Sequence, residues 1–321
     1  MKKVMHNTDI QYIRSNIHQI FTSYMHNLKT NFDKFFNITK SVFKDRLNPA
    51  DNFCFYPNKP KQSDCEIIAL SITGESIGID SGNYFWGKLK NDHRDDFPKL
   101  IDRSNFNRRR KRLYPFIEEL NQHLADTLNE SEDVYLLILF QFLFVRLQEK
   151  ICKENFETAP DKGYSAVSKS YYYGYKLHLV TSVRGIFHSM DLTKASVHDV
   201  HYLSEIKNSG LSTCTLIADK GYLSSTYQVD LFNSCQVNLQ TPKRANQERN
   251  PYPVIFKRVR KRIETLFSQL CDQFMLKRNY AKTNLGLSVR ILSKITAVTL
   301  LQYINSKNNK PLNHLKYALA S

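Results

Sequence analysis

Tyr171-Tyr172-Tyr173-Gly174-Tyr175-Lys176-Leu177-His178-Leu179-Val180, then Val183-Arg184-Gly185, then Ile186-Phe187-His188-Ser189-Met190-Asp191-Leu192 is the stretch that decides the fold. Apolar and polar residues alternate on both sides of a Gly-containing turn, the pattern of a β-hairpin. Downstream, the pattern predicts a helical stretch over Val200–Ile206, a strand over Thr215–Ala218, a helix over Thr226–Asn233 and a short strand over Val237–Gln240. A helix over Val254–Phe274 carries Ile255, Val259, Ile263, Phe267, Leu270 and Phe274 on one face, and an amphipathic helix follows over Leu285–Ile304. Upstream, Val134–Val145 is apolar apart from Gln141. It is too short for the roughly 17–25 residues of a membrane span, so it reads as a buried strand or core helix. This succession predicts an α/β fold, a mixed sheet with flanking helices.

The N-terminal part reads as all-α. Ile10, Ile13, Ile17, Ile20 and Phe21 set a helical spacing over residues 8–47, and a Pro-, Asn- and Lys-rich loop follows. Ser63 or Asp64 caps the next helix; with Ser63 as the cap, Glu66 completes a capping box. Gly74, Gly78 and Gly82 are expected to break the chain, and Ser104 to cap a helix containing Arg108, Arg109, Arg110, Lys111 and Arg112. At 3.6 residues per turn, five consecutive cations surround a helix and cannot all lie on one solvated face. These features divide the chain into a helical region, 1–130, and a sheet-containing region, 131–321.

Forty-six Lys and Arg against 30 Asp and Glu give a net charge of +16, and 41% of residues are hydrophobic. A chain of this kind builds a real core and favours a polyanionic partner, nucleic acid before an anionic membrane. The six cysteines are scattered without a Cys-x-x-Cys pair, which argues against a zinc finger or disulfide framework. The first residues lack the apolar core of a signal peptide. A cytoplasmic location, with no membrane partner, is the expectation.

Asp219 follows the apolar Leu216-Ile217-Ala218, at the carboxyl end of a strand, where ligand sites of α/β sheets gather. It could equally be a turn residue. Glu264 lies on the basic helix beside Ile263, where it is either a site carboxylate or an i,i+4 partner of Arg260. Carboxylates brought together from distant sequence in a basic protein suit phosphoryl transfer on nucleic acid. There, two Mg²⁺ ions about 3.5–4 Å apart activate the nucleophile and stabilise the leaving oxygen. Arg108, Arg109, Arg110, Lys111 and Arg112 are candidate phosphate contacts, as are Lys243, Arg244, Arg260 and Lys261. His198-Asp199 reads as a cap or an outer contact of the site; His198 and His201 lack a third metal ligand nearby.

Taken in order, Gly174-Tyr-Lys-Leu-His178, Ala195-Ser-Val-His-Asp199, Ile217-Ala-Asp-Lys-Gly-Tyr222 and Arg260-Lys-Arg-Ile-Glu-Thr-Leu-Phe267 resemble the transposases of bacterial insertion sequences, and among them the family numbered 982. The resemblance runs from about Cys65 to about Asn305. It implies an RNase H-like catalytic domain with an Asp-Asp-Glu triad. Asp219 would be the second Asp and Glu264 the Glu, both catalytic ligands of Mg²⁺ or Mn²⁺. The partners would be the element ends and target DNA, bound by a homo-oligomer. Relatives often flank the Arg-x-x-x-Glu pair with Tyr and Lys; here Lys257 and Cys271 stand there.

The family's first Asp, at the end of the first strand, has no counterpart: Leu137–Gln148 contains no carboxylate. Residues 137–149 can be encoded so that the frame begun one base upstream reads Ile-Asp-Ser-Ile-Pro-Ile-Pro-Val-Cys-Lys-Ile-Ala-Arg, the missing motif, its Asp codon straddling Leu137 and Ile138. Two compensating frame changes would account for the loss. Asp133, roughly 16 Å away along a strand, and Glu149, about twice as far, are too distant to substitute. Asp199 is the nearest remaining candidate. The resemblance thus implies a transposase with impaired cleavage, or a non-catalytic DNA-binding remnant of one.

Overall fold

A computed structural model describes residues 28–143, 160–165, 169–242, 254–281 and 283–319. Five helices come first: α1 (Leu28–Val42), α2 (Asp64–Ser76), α3 (Gly82–Asp92), α4 (Arg103–Arg112) and α5 (Tyr114–Leu128). Of the helix expected over 8–47, the part before Leu28 lies outside the described residues. The capping box at α2 is formed: the Glu66 amide donates to Ser63 Oγ at 3.2 Å, and the Ser63 amide donates to Glu66 Oε2.

Two local expectations are corrected. Gly74 does not break α2; it lies inside it, and the Phe85 ring sits 2.9 Å from where its Cβ would be. The chain turns instead at Gly78, whose φ of +71° suits glycine. The cap of α4 is Asp102 rather than Ser104, its carboxylate accepting from the Asn105 amide at 2.9 Å.

The sheet contains β1 (Val134–Leu143), β2 (Asp161–Ser165), β3 (Ser170–Ser182), β4 (Phe187–Lys194), β5 (Cys214–Ala218) and β6 (Val237–Gln240). Its order is β2-β3-β1-β5-β6, with β4 also paired to β3. The expected hairpin is β3–β4, turning at Gly185 with φ +84°. No pattern in the sequence announces β2. It pairs with Ser170–Gly174 while β4 pairs with Tyr175–Thr181, so two short strands share one edge of β3 end to end. Gly163 permits this junction, because a Cβ there would meet the Ala195 carbonyl oxygen at 2.6 Å. On its other edge β3 runs antiparallel to β1, and β1, β5 and β6 run parallel. The remaining helices are α6 (Leu203–Ile206), α7 (Ser225–Cys235), α8 (Val254–Asp272), α9 (Asn284–Lys307) and α10 (Lys316–Leu319). An all-α N-terminal region followed by a curled mixed sheet flanked by helices is an RNase H-like arrangement.

Alternation along the strands sorts the core. Tyr135, Leu137, Leu216 and Ala218 pack with Tyr202, Leu203, Tyr222 and Leu231. Leu136 and Ile217 pack with Ile263 of α8. The largest cluster joins α1–α5 to α9 and to Tyr175, Leu177, Leu179 and Phe187 of the hairpin. Helical region and sheet therefore share one core across residue 130.

α9 runs through this core. By length and composition it could cross a membrane, but 83% of its apolar window is buried inside the fold. Its polar positions, which gave it an amphipathic reading, face inward. Arg290 Nε donates to Glu75 Oε1 at 2.9 Å, the Lys294 ammonium donates to Glu75 Oε2, and Arg110 of α4 stands 3.7 Å from the same carboxylate. Lys294 also donates to the Phe274 carbonyl at 2.6 Å and Arg290 to that of Asp80 at 2.8 Å. Burial by itself would raise the Glu75 carboxyl, yet Lys294 and Arg290 outweigh it and hold it at about 2.

An unfolded Glu titrates near ~4.3, so this group's stabilising contribution is complete above that pH and is lost as pH falls toward about 2. Glu75→Gln, which leaves buried cations uncompensated, is expected to cost about 3–5 kcal/mol at neutral pH in urea unfolding. It should also flatten the acid limb of the stability curve. A wild-type-like midpoint would show that Glu75 does not brace α2 against α9.

Candidate active site

β5 delivers Asp219 to the surface. Leu216, Ile217 and Ala218 are buried, whereas Asp219 is exposed in extended backbone (φ −75°, ψ 169°) and opens a single 3₁₀ turn, Lys220–Tyr222. The Tyr222 amide closes that turn on the Asp219 carbonyl at 3.0 Å.

Two polar residues of β3 brace the turn from below. His178 Nδ1 lies 2.7 Å from the Tyr222 hydroxyl, its Nε2 lies 2.8 Å from Thr193 Oγ1, and its ring stacks on Tyr202. Burial, reinforced by the charge of Lys176, lowers His178 to about 3, so the ring is neutral at neutral pH and offers one donor and one acceptor. Lys176 donates to the Val197 carbonyl and to Asp199 Oδ1, each at 2.7 Å. The other oxygen of Asp199 lies 2.9 Å from where a Cβ on Gly221 would be, so this carboxylate underpins the Asp219 turn and is committed to Lys176. Lys176 and His178 fall inside a block quoted from the sequence, but their bracing role was missed. Its signal is their i,i+2 spacing among the apolar Tyr175, Leu177 and Leu179.

The strand register shows what stands beside Asp219. β1 and β5 pair in parallel with Leu137 opposite Ala218, which sets Ile138 level with Asp219. Ile138 packs against the cluster of Leu136, Ile217 and Ile263. Glu264, next to Ile263 on α8, is exposed. One apolar cluster therefore anchors the elements carrying Asp219, Glu264 and Ile138: two carboxylates and an isoleucine. Among the described residues no three His, Cys, Asp or Glu side chains are grouped to hold a metal ion. Mg²⁺ takes oxygen ligands in near-octahedral array, and the donor set here does not fit a three-carboxylate site. His198 serves as a cap, its Nδ1 accepting from the Val200 amide at 3.3 Å.

The basic cluster on α4 divides. Arg109 donates to Asp64 Oδ1 at 2.7 Å and to the Gln62 carbonyl, Arg110 faces Glu75, and Lys111 donates to Thr283 Oγ1 at 3.1 Å. Arg108 and Arg112 are exposed, as is Lys261 on α8. Lys243 and Arg244 lie outside the described residues, as does the side chain of Arg260.

The RNase H-like sheet thus carries a carboxylate at the end of β5 and another on the helix packed against it. Residues 146–300 match the family model for the transposase DDE domain. The match starts just past β1, a strand without a carboxylate. No curated protein and no solved structure matches the chain.

The brace under Asp219 has a pH signature. An unfolded His titrates near ~6.5, so the neutral His178 contributes stability that is complete above that pH and is lost as pH falls toward about 3. The stability slope this adds is at most about 1.4 kcal/mol per pH unit. Urea melts between neutral pH and pH 4 should be visibly flatter for His178→Leu than for the wild type; equal slopes would mean that the ring is not held neutral.

Proposed function

We propose that this protein is a transposase of the insertion-sequence type, close to the family numbered 982, that binds element ends while its strand-cleavage chemistry is impaired. The observation that carries the reading is Ile138, level with Asp219 where a metal-binding triad of this family needs a carboxylate. The family match and the net charge of +16 support DNA as the partner. In this reading the helical region before residue 131 holds element ends and the remainder is the catalytic domain, working in the cytoplasm as an oligomer on DNA. Arg108, Arg112, Lys243, Arg244, Arg260 and Lys261 contact phosphates, and Asp219 and Glu264 are what remains of the Mg²⁺ or Mn²⁺ site. Arg109, Arg110 and Lys111 are engaged within the fold and reach duplex DNA only if these contacts rearrange.

The test is constructive. Wild-type protein should not cut element-end DNA with Mg²⁺ or Mn²⁺, whereas Ile138→Asp should bind Mn²⁺ more tightly and recover cleavage. A variant that binds Mn²⁺ but does not cut would favour a wholly non-catalytic remnant. Robust cutting by the wild type, abolished by Asp219→Ala, would overturn the account of the missing ligand. The codons decide its origin: any at Leu137 or Leu139 that break the upstream frame rule out the frame change.

DNA binding is checked separately. Charge removal at Arg108, Arg112 and Lys261 together should lower the slope of log affinity against log salt by about 0.9 for each phosphate that is no longer neutralised. An unchanged slope removes these residues from the interface.

A further inference from the structure

A cavity of about 470 Å³ opens between α2, α3, α4 and the start of α9, away from Asp219. Four cations line it, Arg103, Arg110, Lys111 and Arg290, against one lining carboxylate, Glu75. Lys294, fully buried, adds another positive charge behind Glu75. A single carboxylate thus faces Arg110, Arg290 and Lys294, and the buried group carries excess positive charge. Buried charge without a counterion is costly, which makes the open side of this group a place for an anion.

Arg110 shows the deficit most clearly. Its Nε is buried and has no hydrogen-bond partner among the described residues, and its closest carboxylate contact is the 3.7 Å approach to Glu75. Burial lowers its guanidinium to about 10 despite Glu75, with Arg290 contributing to the shift. The rest of the lining is aromatic. Phe85, Trp86 and Phe106 form buried walls, and Tyr280 stands exposed at the mouth. The volume is within the ~300–1,000 Å³ of small-molecule sites, and a concave cavity of this size excludes duplex DNA.

We propose that this cavity binds a nucleotide monophosphate unit, its phosphate against Arg110 and Lys111 and its base against the aromatic walls. The unit can come from a free nucleotide or from the unstacked end of a strand. The inference rests on the charge imbalance and the lining, and stands whether or not the protein cuts DNA.

Calorimetric titration of the full chain with dAMP, deoxyadenosine, inorganic phosphate and a short 5′-phosphorylated single strand tests it. Saturable binding of dAMP is expected, with deoxyadenosine and inorganic phosphate each at least tenfold weaker. Arg110→Gln should weaken dAMP at least tenfold. Lys111→Gln, which leaves the Glu75 pairs intact, should weaken it severalfold and serves if Arg110→Gln does not fold. Binding of the strand but not of dAMP, lost in Lys111→Gln, would assign the site to a strand end. Failure of both to bind, binding unchanged in Lys111→Gln, or inorganic phosphate as tight as dAMP would overturn the nucleotide assignment. None of these outcomes depends on element-end DNA, so they leave the transposase reading to its own test.

Discussion

One buried carboxylate sets the arrangement of this molecule. Glu75 receives Arg290 and Lys294 from α9 and faces Arg110 from α4, joining positions up to 219 residues apart in the chain. α2 is buried on nearly every side, with Ile67, Ile68, Leu70 and Ile72 among its buried residues, so hydrophobicity alone does little to fix its rotation. The charge contacts do. The same surplus of cations that fixes Glu75 leaves Arg110 under-partnered, and so makes a structural group into a cavity with a preference for anions. Packing and ligand chemistry are here two consequences of one imbalance.

Much of the sheet was readable because its signals are local. The β3–β4 hairpin, β5, β6 and α8 follow from alternation or helical spacing within a few residues, and Ser63 and Glu66 form their box across a single turn. What escaped was set by distance or by crowding. β2 is a five-residue edge strand whose place depends on Gly163 meeting Ala195. Gly74 stays helical because Phe85 packs against it. The polar residues of α9 suggested a solvated face because their partner, Glu75, is more than two hundred residues away.

The site divides in the same way. Asp219 and Glu264 stand out by their neighbours in sequence, and the absence of a third carboxylate can be seen in the apolar run of β1. The shifted frame already places the lost Asp at Leu137 and Ile138; the pairing of Leu137 with Ala218 adds that Ile138 stands level with Asp219, which no linear pattern reveals. Lys176, His178 and Asp199 hold the turn through hydrogen bonds and packing, and composition does not separate a bracing histidine from a reactive one.

The late position of α9 in the chain bears on how such a gene can decay. Core positions on α2, α5 and the hairpin close only when residues 284–307 arrive, so a stop codon upstream would leave a hollow shell rather than a smaller protein. In the proposed reading, the apolar run of β1 keeps the fold intact while a ligand is lost. The architecture thus filters its own mutations: lesions that silence chemistry can persist as folded protein, whereas truncations become substrates for proteolysis. A copy that can still fold and hold DNA without cutting would then compete with active copies for the same ends, and the resilience of the fold would turn a damaged gene into a brake on its relatives.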